Sequence, residues 1–365
     1  MWAIRGFIAW ASSTAQRETG QVMHTQPPPP APAAPLAATL LNMMTGYMIS
    51  QSIYVAAKLG VADLVQNGPV RYETLAAISE CHAPSVYRLL RALASVGVFT
   101  ETSPGCFGLT PLAGLLRAAA PDSMRALAMV YNEESYRAWG DMLYAVQTGR
   151  PAFDRVYGVP AFEYFGTHPE ANAVFNAAMI DWTKRVAGAV VGASDFSGLG
   201  TVVDVGGGHG ALLTEILRSH RKARGILFDQ PHVVADAGAF LQTSGVSDRC
   251  TSVGGDFFEE VPAGGDAYVL AQILHDWDDE QDLAILSRCR AAMSGRARLL
   301  VVEIVLPETE EPNFGKWLDL HMLAVTRGRE RTATEYGDLL GRAGFTVTSV
   351  VPTDTGTSVV EAVLA

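Results

Sequence analysis

Val202-Val203-Asp204-Val205-Gly206-Gly207-Gly208-His209-Gly210 is the stretch that decides the fold. Thr201 to Val205 is a short, mostly β-branched run of the kind that fills a strand buried on both faces. Glycines follow at once, and Ala211 to Arg218 then reads as a helix. A turn made of Gly206, Gly207, Gly208 and Gly210 lets a ligand touch bare backbone and aims N–H groups at polar or anionic atoms. Asp229 closes the next apolar run, Arg224–Phe228, where a carboxylate can accept hydrogen bonds from a ribose diol. Together these features describe a nucleoside-binding corner. The Gly-x-Gly-x-Gly spacing is one residue short of the dinucleotide fingerprint, and no Gly-Lys-Ser/Thr grips a phosphate.

Working outward, strand and helix alternate from Gly200 on. The expected strands are Thr201–Val205, Arg224–Phe228, Arg249–Val253, Asp266–Ala271 and Arg298–Val305. Such alternation means a parallel, Rossmann-like α/β sheet with helices on both faces. The tail departs from it. Phe345–Val351 and Ser358–Leu364 are separated only by a Thr-, Asp- and Gly-rich loop, which predicts a closing antiparallel hairpin. The loop alone leaves a nicotinamide dinucleotide and S-adenosylmethionine (SAM) both open. With Asp204 ahead of the turn, the loop is similar to the first motif of SAM methyltransferases, and the hairpin is typical of their sheet.

The chain has 365 residues, 48% of them hydrophobic, enough for two domains at ~150 residues each. A formal charge of −11 argues against a nucleic-acid partner, which wants a basic surface. Cys81, Cys106, Cys250 and Cys289 are scattered, with no Cys-x-x-Cys pair, which suits a reducing cytoplasm and gives no metal signal. No run reaches membrane-spanning length. Residues 1–35 read as a disordered Pro/Ala-rich tail, with Met23 an alternative start.

From Leu36 to Leu199 the pattern is helical. Leu40, Met43, Met44, Tyr47 and Met48, then Ile53, Val55 and Leu59, are spaced as buried stripes that close at Gly60. Residues 36–120 give a winged-helix outline: Leu75–Ile78, Ser85–Val96 opened by Pro84, and a wing from Phe99 through Cys106–Leu109. DNA reading would need more than Arg88 and Arg91 on the recognition helix, so a dimerising role is favoured over a metabolite-sensing regulator. Residues 121–199 form a helical linker and pocket segment, and 200–365 the cofactor domain.

Three further segments carry chemistry. Gly255-Asp256-Phe257-Phe258 follows the third strand, where Asp256 can accept from an adenine amino group and Phe257 can meet the ring. His275, in Leu274-His275-Asp276-Trp277 after the fourth strand, has an ordinary pKa of about 6.5 that suits a general base. Glu303, at the end of Leu299-Leu300-Val301-Val302, and Glu330, in Gly328-Arg329-Glu330-Arg331-Thr332, are carboxylates able to fix its tautomer. For Glu330, a solvated charge run is the competing expectation.

At these segments the chain, from Leu36 to Ala365, resembles the plant-type SAM-dependent O-methyltransferases, including their bacterial natural-product tailoring branch. The segments that carry the resemblance are the glycine motif, Phe228-Asp229-Gln230-Pro231, Gly255-Asp256-Phe257-Phe258, Ile273-Leu274-His275-Asp276-Trp277, Val301-Val302-Glu303-Ile304-Val305-Leu306-Pro307 and Gly328-Arg329-Glu330-Arg331-Thr332. The resemblance implies a homodimer in which His275 is the base, flanked by Glu303 and Glu330, with no metal. It implies that SAM lies against Asp204, Gly206, Gly207, Asp229, Gln230, Gly255, Asp256, Phe257 and Gln272, with Thr183 near the methionine end, and leaves as S-adenosylhomocysteine. It implies a phenolic aromatic acceptor among Met129, Trp139, Phe162, Phe175, Asn176, Met179, Asp276 and Met322. Phe153 and Phe165 are further pocket candidates. Ala271 stands where many plant members have a SAM-contacting Lys, and Gln230 where Leu is usual. Retention of His275 favours methyl transfer over the hydroxylation or decarboxylation that some relatives perform on this scaffold.

Overall fold

Val202 and Val203 point to opposite faces of one sheet, and the fold follows from that division. In a computed structural model, which describes residues 35–365, the sheet has seven strands in the order β11-β12-β8-β7-β4-β5-β6. They are β4 (Thr201–Val205), β5 (Arg224–Asp229), β6 (Cys250–Gly254), β7 (Ala267–Ala271), β8 (Arg298–Glu303), β11 (Phe345–Pro352) and β12 (Ser358–Leu364). Strands β6 to β8 run parallel through β4 and β5, and the β11–β12 hairpin pairs antiparallel onto β8.

On one face Val203, Val205, Tyr268, Leu270, Leu299 and Val301 pack under helices α15 (Asp279–Ala292) and α17 (Ala333–Arg342). On the other, Val202, Ala267, Val269, Leu300 and Val302 pack under α12 (Pro169–Ala193), α13 (Ala211–Ser219) and α14 (Pro231–Thr243). Continuous apolar strands are what burial on both faces requires. The helix starts are written locally. Asp278 accepts from the Gln281 N–H at 2.9 Å, and Thr332 with Glu335 forms a reciprocal capping box.

One strand ends sooner than the sequence suggests. The expected Arg298–Val305 run stops at Glu303, and Val305–Leu306 (β9) pairs instead with Arg331–Thr332 (β10) in a separate parallel ladder. Local sequence does not announce this exit, because apolar residues stand on both sides of Glu303 and the partner that draws off Val305–Leu306 lies 26 positions further on. Thr201–Val205 and Ser358–Leu364 have the expected bounds, and the other strand ends agree to within a residue.

Contacts divide the chain into two compact units, one ending at Ala120 and one beginning at Pro121. The first holds α1 (Leu36–Met44), α2 (Gly46–Lys58), α3 (Val61–Leu64), β1 (Val70–Arg71), α4 (Tyr72–Ile78), α5 (Ala83–Ser95), β2 (Phe99–Ser103), β3 (Cys106–Leu109) and α6 (Pro111–Gly114). Its wing is a three-stranded sheet, and Gly60 takes the left-handed conformation between α2 and α3. The stripe expected to be buried in α1 is not: Leu40, Met43 and Met44 are 58%, 68% and 65% exposed in a single copy. The helical spacing is there, but among the described residues nothing covers it. In the second unit α7 (Arg125–Val130), α8 (Glu134–Trp139), α9 (Met142–Thr148), α10 (Ala152–Tyr157) and α11 (Ala161–Thr167) precede α12, and α16 (Phe314–Val325) follows β9. The first 34 residues, which hold Met23 and nearly all of the proposed tail, lie outside the described residues.

Candidate active site

The carboxyl ends of β4, β5, β7 and β8 converge on one edge of the sheet. After β4 the chain turns on Gly206, whose N–H and that of Gly207 donate to the Phe228 carbonyl at 2.8 and 3.3 Å. Gly206 sits at φ +71°, and a Cβ there would meet Ile273 at 2.5 Å and Phe257 at 3.5 Å. Bare backbone is therefore obligatory at this turn. Asp229 ties the loop together, accepting from Gly208 N–H at 2.8 Å and Gln230 N–H at 2.7 Å. Asp256 accepts from the Phe258 N–H, while Phe257 is half-buried, edge-on to Trp277 at 6.0 Å. Gly255 donates to the Asp229 carbonyl, so the ends of β5 and β6 are joined beside it. Gln230 is exposed, and Thr183 is half-buried on α12 beside Trp182.

Several polar atoms here are buried with no partner. Both carboxylate oxygens of Asp204 are among them, as are Gln272 Nε2 and Trp182 Nε1. Burial and nearby Asp229 push Asp204 up to about 7. Gln272 also takes a left-handed φ of +58°, which a side-chain-bearing residue adopts only under constraint. An orphaned carboxylate and an orphaned amide beside a bare-backbone turn fit a polar, cationic ligand such as the sulfonium amino acid of SAM.

The second half of the edge is built of charge. A single 3-10 turn, Leu274–Asp276, follows β7 and carries His275. Glu303 Oε1 accepts from the N–H groups of Ile273 and Leu274, each at 3.0 Å, and Oε2 lies 3.6 Å from His275 Nδ1. Glu330 Oε1 is 2.8 Å from the same nitrogen. Glu330 is 2% exposed, so the solvated-run expectation fails: the β9–β10 ladder draws it inward. Arg331, fully buried, donates to the Leu274 carbonyl at 3.0 Å and pairs with Asp282 at 2.7 Å. Gly328 completes the support, since a Cβ there would run into the His275 carbonyl.

The expected ordinary pKa of His275 is overturned by these neighbours. Burial disfavours the imidazolium most strongly, yet Glu303, Glu330 and Asp276 together outweigh it and hold His275 well above 6.5. Burial in turn raises Glu303 to about 7 and Asp276 to about 6, with the His275 charge opposing both. The proton is thus shared within a cluster whose charge is stabilised in place.

The aromatic candidates separate into two groups. Phe153 is fully buried and Phe165 6% exposed, both inside a core cluster, so they line nothing. Met322 is likewise 6% exposed, packed with Ile304 and Leu318, and Phe175 stacks on Phe165 at 4.7 Å. Phe162 is more open and stacks on Trp277 at 5.5 Å, the residue that follows Asp276. Met129, Asn176 and Met179 are half-buried, and Met179, like Tyr131 and Trp182, packs against the cluster of Ala126, Leu127, Val130 and Ala178. Trp139 donates to His321 Nδ1 at 3.0 Å. Neither His321 nor Arg331 is reached as a functional residue by the sequence reading. A lone His in the apolar run of α16 was the signal for the first.

Residues 139–346 match the profile of the O-methyltransferase domain, and residues 41–118 that of the O-methyltransferase dimerisation domain. A phenazine O-methyltransferase of Lysobacter antibioticus is 57% identical over 330 residues, 90% of this chain and 97% of that protein. The chain belongs to the O-methyltransferase family. It is an α/β SAM-dependent methyltransferase of the bacterial natural-product branch, and its winged-helix unit is the family's dimerisation domain. The crystal structure of LaPhzM matches at TM-score 0.89 and 56% identity, over 91% of this chain and 100% of that one. The human N-acetylserotonin methyltransferase, solved in complex with SAM, matches at TM-score 0.85 and 29% identity, over 91% and 99%. The dehydrogenase, hydroxylase, decarboxylase and regulator alternatives find no support among these matches.

Proposed function

We propose that the enzyme methylates a phenolic hydroxyl on a flat, fused aromatic acceptor, with His275 as general base. The observation that carries the reading is the pair of carboxylates on His275 Nδ1, at 2.8 and 3.6 Å. They leave Nε2 as the ring nitrogen available to an acceptor hydroxyl, with Asp276 Oδ1 3.9 Å from it.

When bound, SAM supplies an electrophilic methyl group on a sulfonium sulfur and leaves as S-adenosylhomocysteine. Asp229 and Asp256 would hold its nucleoside, and Asp204, Gln272 and Thr183 its amino-acid end, over the turn at Gly206 and Gly207. A neutral phenol, of pKa about 10, is a poor nucleophile near pH 7. His275 takes its proton at Nε2, while Glu330 and Glu303 stabilise the imidazolium at Nδ1. The raised pKa means that the productive complex holds one proton between Nε2 and the acceptor oxygen, whichever partner brings it. The ligating atoms of His275, Glu303 and Glu330 lie within 4.8 Å of one another, close enough for a cation. A cation there would have to replace the Nδ1–H to Glu330 bond, so we read the reaction as metal-independent.

A fused-ring acceptor is supported by the phenazine enzyme at 57% identity and by the flat Phe162–Trp277 stack beside Asp276. Trp139, Met129, Asn176 and Met179 are placed in the pocket wall on this reading, with Phe175 and Met322 backing it from the core. The exposed apolar face of α1 and α2, including Leu36 at 88% and Tyr47 at 50% exposure, suits a homodimer. Among the described residues no helix is long and apolar enough to cross a membrane. All four cysteines are free, which suits the cytoplasm.

The test is a mass-spectrometric screen of the purified protein with SAM and hydroxylated phenazines, naphthoates, flavonoids and benzoates. A product heavier by one methyl, with S-adenosylhomocysteine in equal amount, is expected from the fused-ring members. Methylation confined to single-ring acceptors would overturn the acceptor class.

A further inference from the structure

α16 carries a histidine that this reaction leaves unused. His321 Nδ1 lies 3.0 Å from Trp139 Nε1, a residue 182 positions earlier on α8. An indole N–H can only donate, so Nδ1 is the acceptor and the ring proton belongs on Nε2. That bond sets the imidazole side by side with the Trp139 ring, the centroids 6.4 Å apart and the planes 26° from parallel, and Tyr131 meets it edge-on at 5.1 Å, so its orientation is fixed by two neighbours. Burial and the nearby His275 charge push its pKa down to about 4, which keeps it neutral. Nε2 finds no partner among the described residues, yet it is not sealed off and the residue is only half-buried.

We propose that His321 is a specificity-determining donor, whose Nε2–H selects acceptors bearing an in-plane lone pair, either a ring nitrogen or a carbonyl oxygen. This rests on the planar aromatic acceptor proposed above. A fixed neutral donor facing a C–H edge of the same shape loses its partner on binding, so the site rejects the carbocyclic analogue. His275 cannot do this work, because its Nδ1 is held by Glu330 and its Nε2 is committed to the transferred proton. Trp139 is the positioning residue, since it sets which nitrogen of His321 carries hydrogen.

The experiment compares hydroxyphenazine, hydroxyanthraquinone and hydroxyanthracene, which share a three-ring frame and differ in edge chemistry. Wild type, His321→Leu, His321→Gln and Trp139→Phe are assayed with SAM for kcat and KM, and SAM affinity is measured by calorimetry. His321→Leu is expected to raise KM about tenfold for the nitrogen- or carbonyl-bearing probe, with hydroxyanthracene and SAM affinity unchanged. Whichever probe responds names the atom. His321→Gln, which keeps an N–H, recovers part of the loss. Trp139→Phe, which keeps the ring packing but frees the tautomer, shows a smaller rise of the same selectivity. An equal KM rise for all three probes, or a loss of SAM affinity, would mean that His321 only fills space. Selectivity untouched in Trp139→Phe, should His321→Leu fail to fold, equally overturns the donor. A wild type that binds SAM but methylates none of the probes overturns the acceptor class and the donor with it.

Discussion

At the ends of β4 and β5 the site presents backbone, and at the ends of β7 and β8 it presents charge. The first region is a glycine turn pinned to the Phe228 carbonyl and braced by Asp229, with space that no Cβ can enter. The second packs an imidazole and three carboxylates together and holds them with Arg331, Asp282 and the Glu303 bonds to backbone. The difference teaches what each half must do. Holding a ligand of constant shape calls for fixed room and a few placed acceptors. Moving a proton calls for groups whose affinities are set against one another.

If the two regions are functionally separate, they can be broken separately. His275→Ala is expected to lower kcat by ~100- to 10,000-fold while calorimetry finds SAM affinity unchanged. Undiminished turnover would remove the general base, and lost SAM binding would remove the separation. Asp204→Asn works from the other side. It should weaken SAM binding about 10- to 100-fold if the orphaned carboxylate meets a cationic end of the cofactor. The same change tests stability without SAM. Burial holds the Asp204 carboxyl up to about 7, so the folded state binds a proton that the unfolded state has released between roughly pH 4 and 7. Stability falls as pH rises through that window. The neutral amide should therefore unfold later than wild type at pH 8, by about 1–3 kcal/mol; an earlier unfolding midpoint in the variant would count against the orphaned charge.

Glu330→Gln sharpens the comparison within the charged region. Glu330 is one of the carboxylates that raise His275. On the proposed mechanism one proton is shared between Nε2 and the acceptor oxygen, so in wild type kcat/KM falls as acid adds a second proton, and the raised His275 sets that limb above the ordinary imidazole value. Removing this charge should move that acidic limb downward by about 1 to 3 units and leave SAM affinity alone. A limb that stays in place would assign it to another group. The smallest expected effect is that of a chelator. Dialysis against EDTA should leave turnover unchanged; activity lost to EDTA and restored by a divalent cation would convert the His275–Glu303–Glu330 cluster into a metal site.

Most of the sheet was legible because its strands are buried on both faces and bounded by glycines, so Val203 and Leu270 announce themselves by composition alone. The corner at Gly206 was legible for the same local reason. What was not legible lay in pairings across distance. The exit of the chain after Glu303 to form β9 has no sequence mark, and without it Glu330 reads as a solvated charge. The pKa of His275 depends on residues 28 and 55 positions away and could not be read from the ring itself. In α1 the stripe was correctly spaced, but burial there needs surface that the described residues do not supply. His321 was hidden because its meaning comes from Trp139.

That last pair bears on how such enzymes can be recombined. Trp139 and His321 stand on lengths of chain that a crossover near Leu199 would inherit from different parents. A chimaera joined there keeps its glycine turn, its base and both carboxylates within one fragment. It parts the indole from the imidazole, as it parts Phe162 from Trp277, so what such a join puts at risk first is the choice of acceptor.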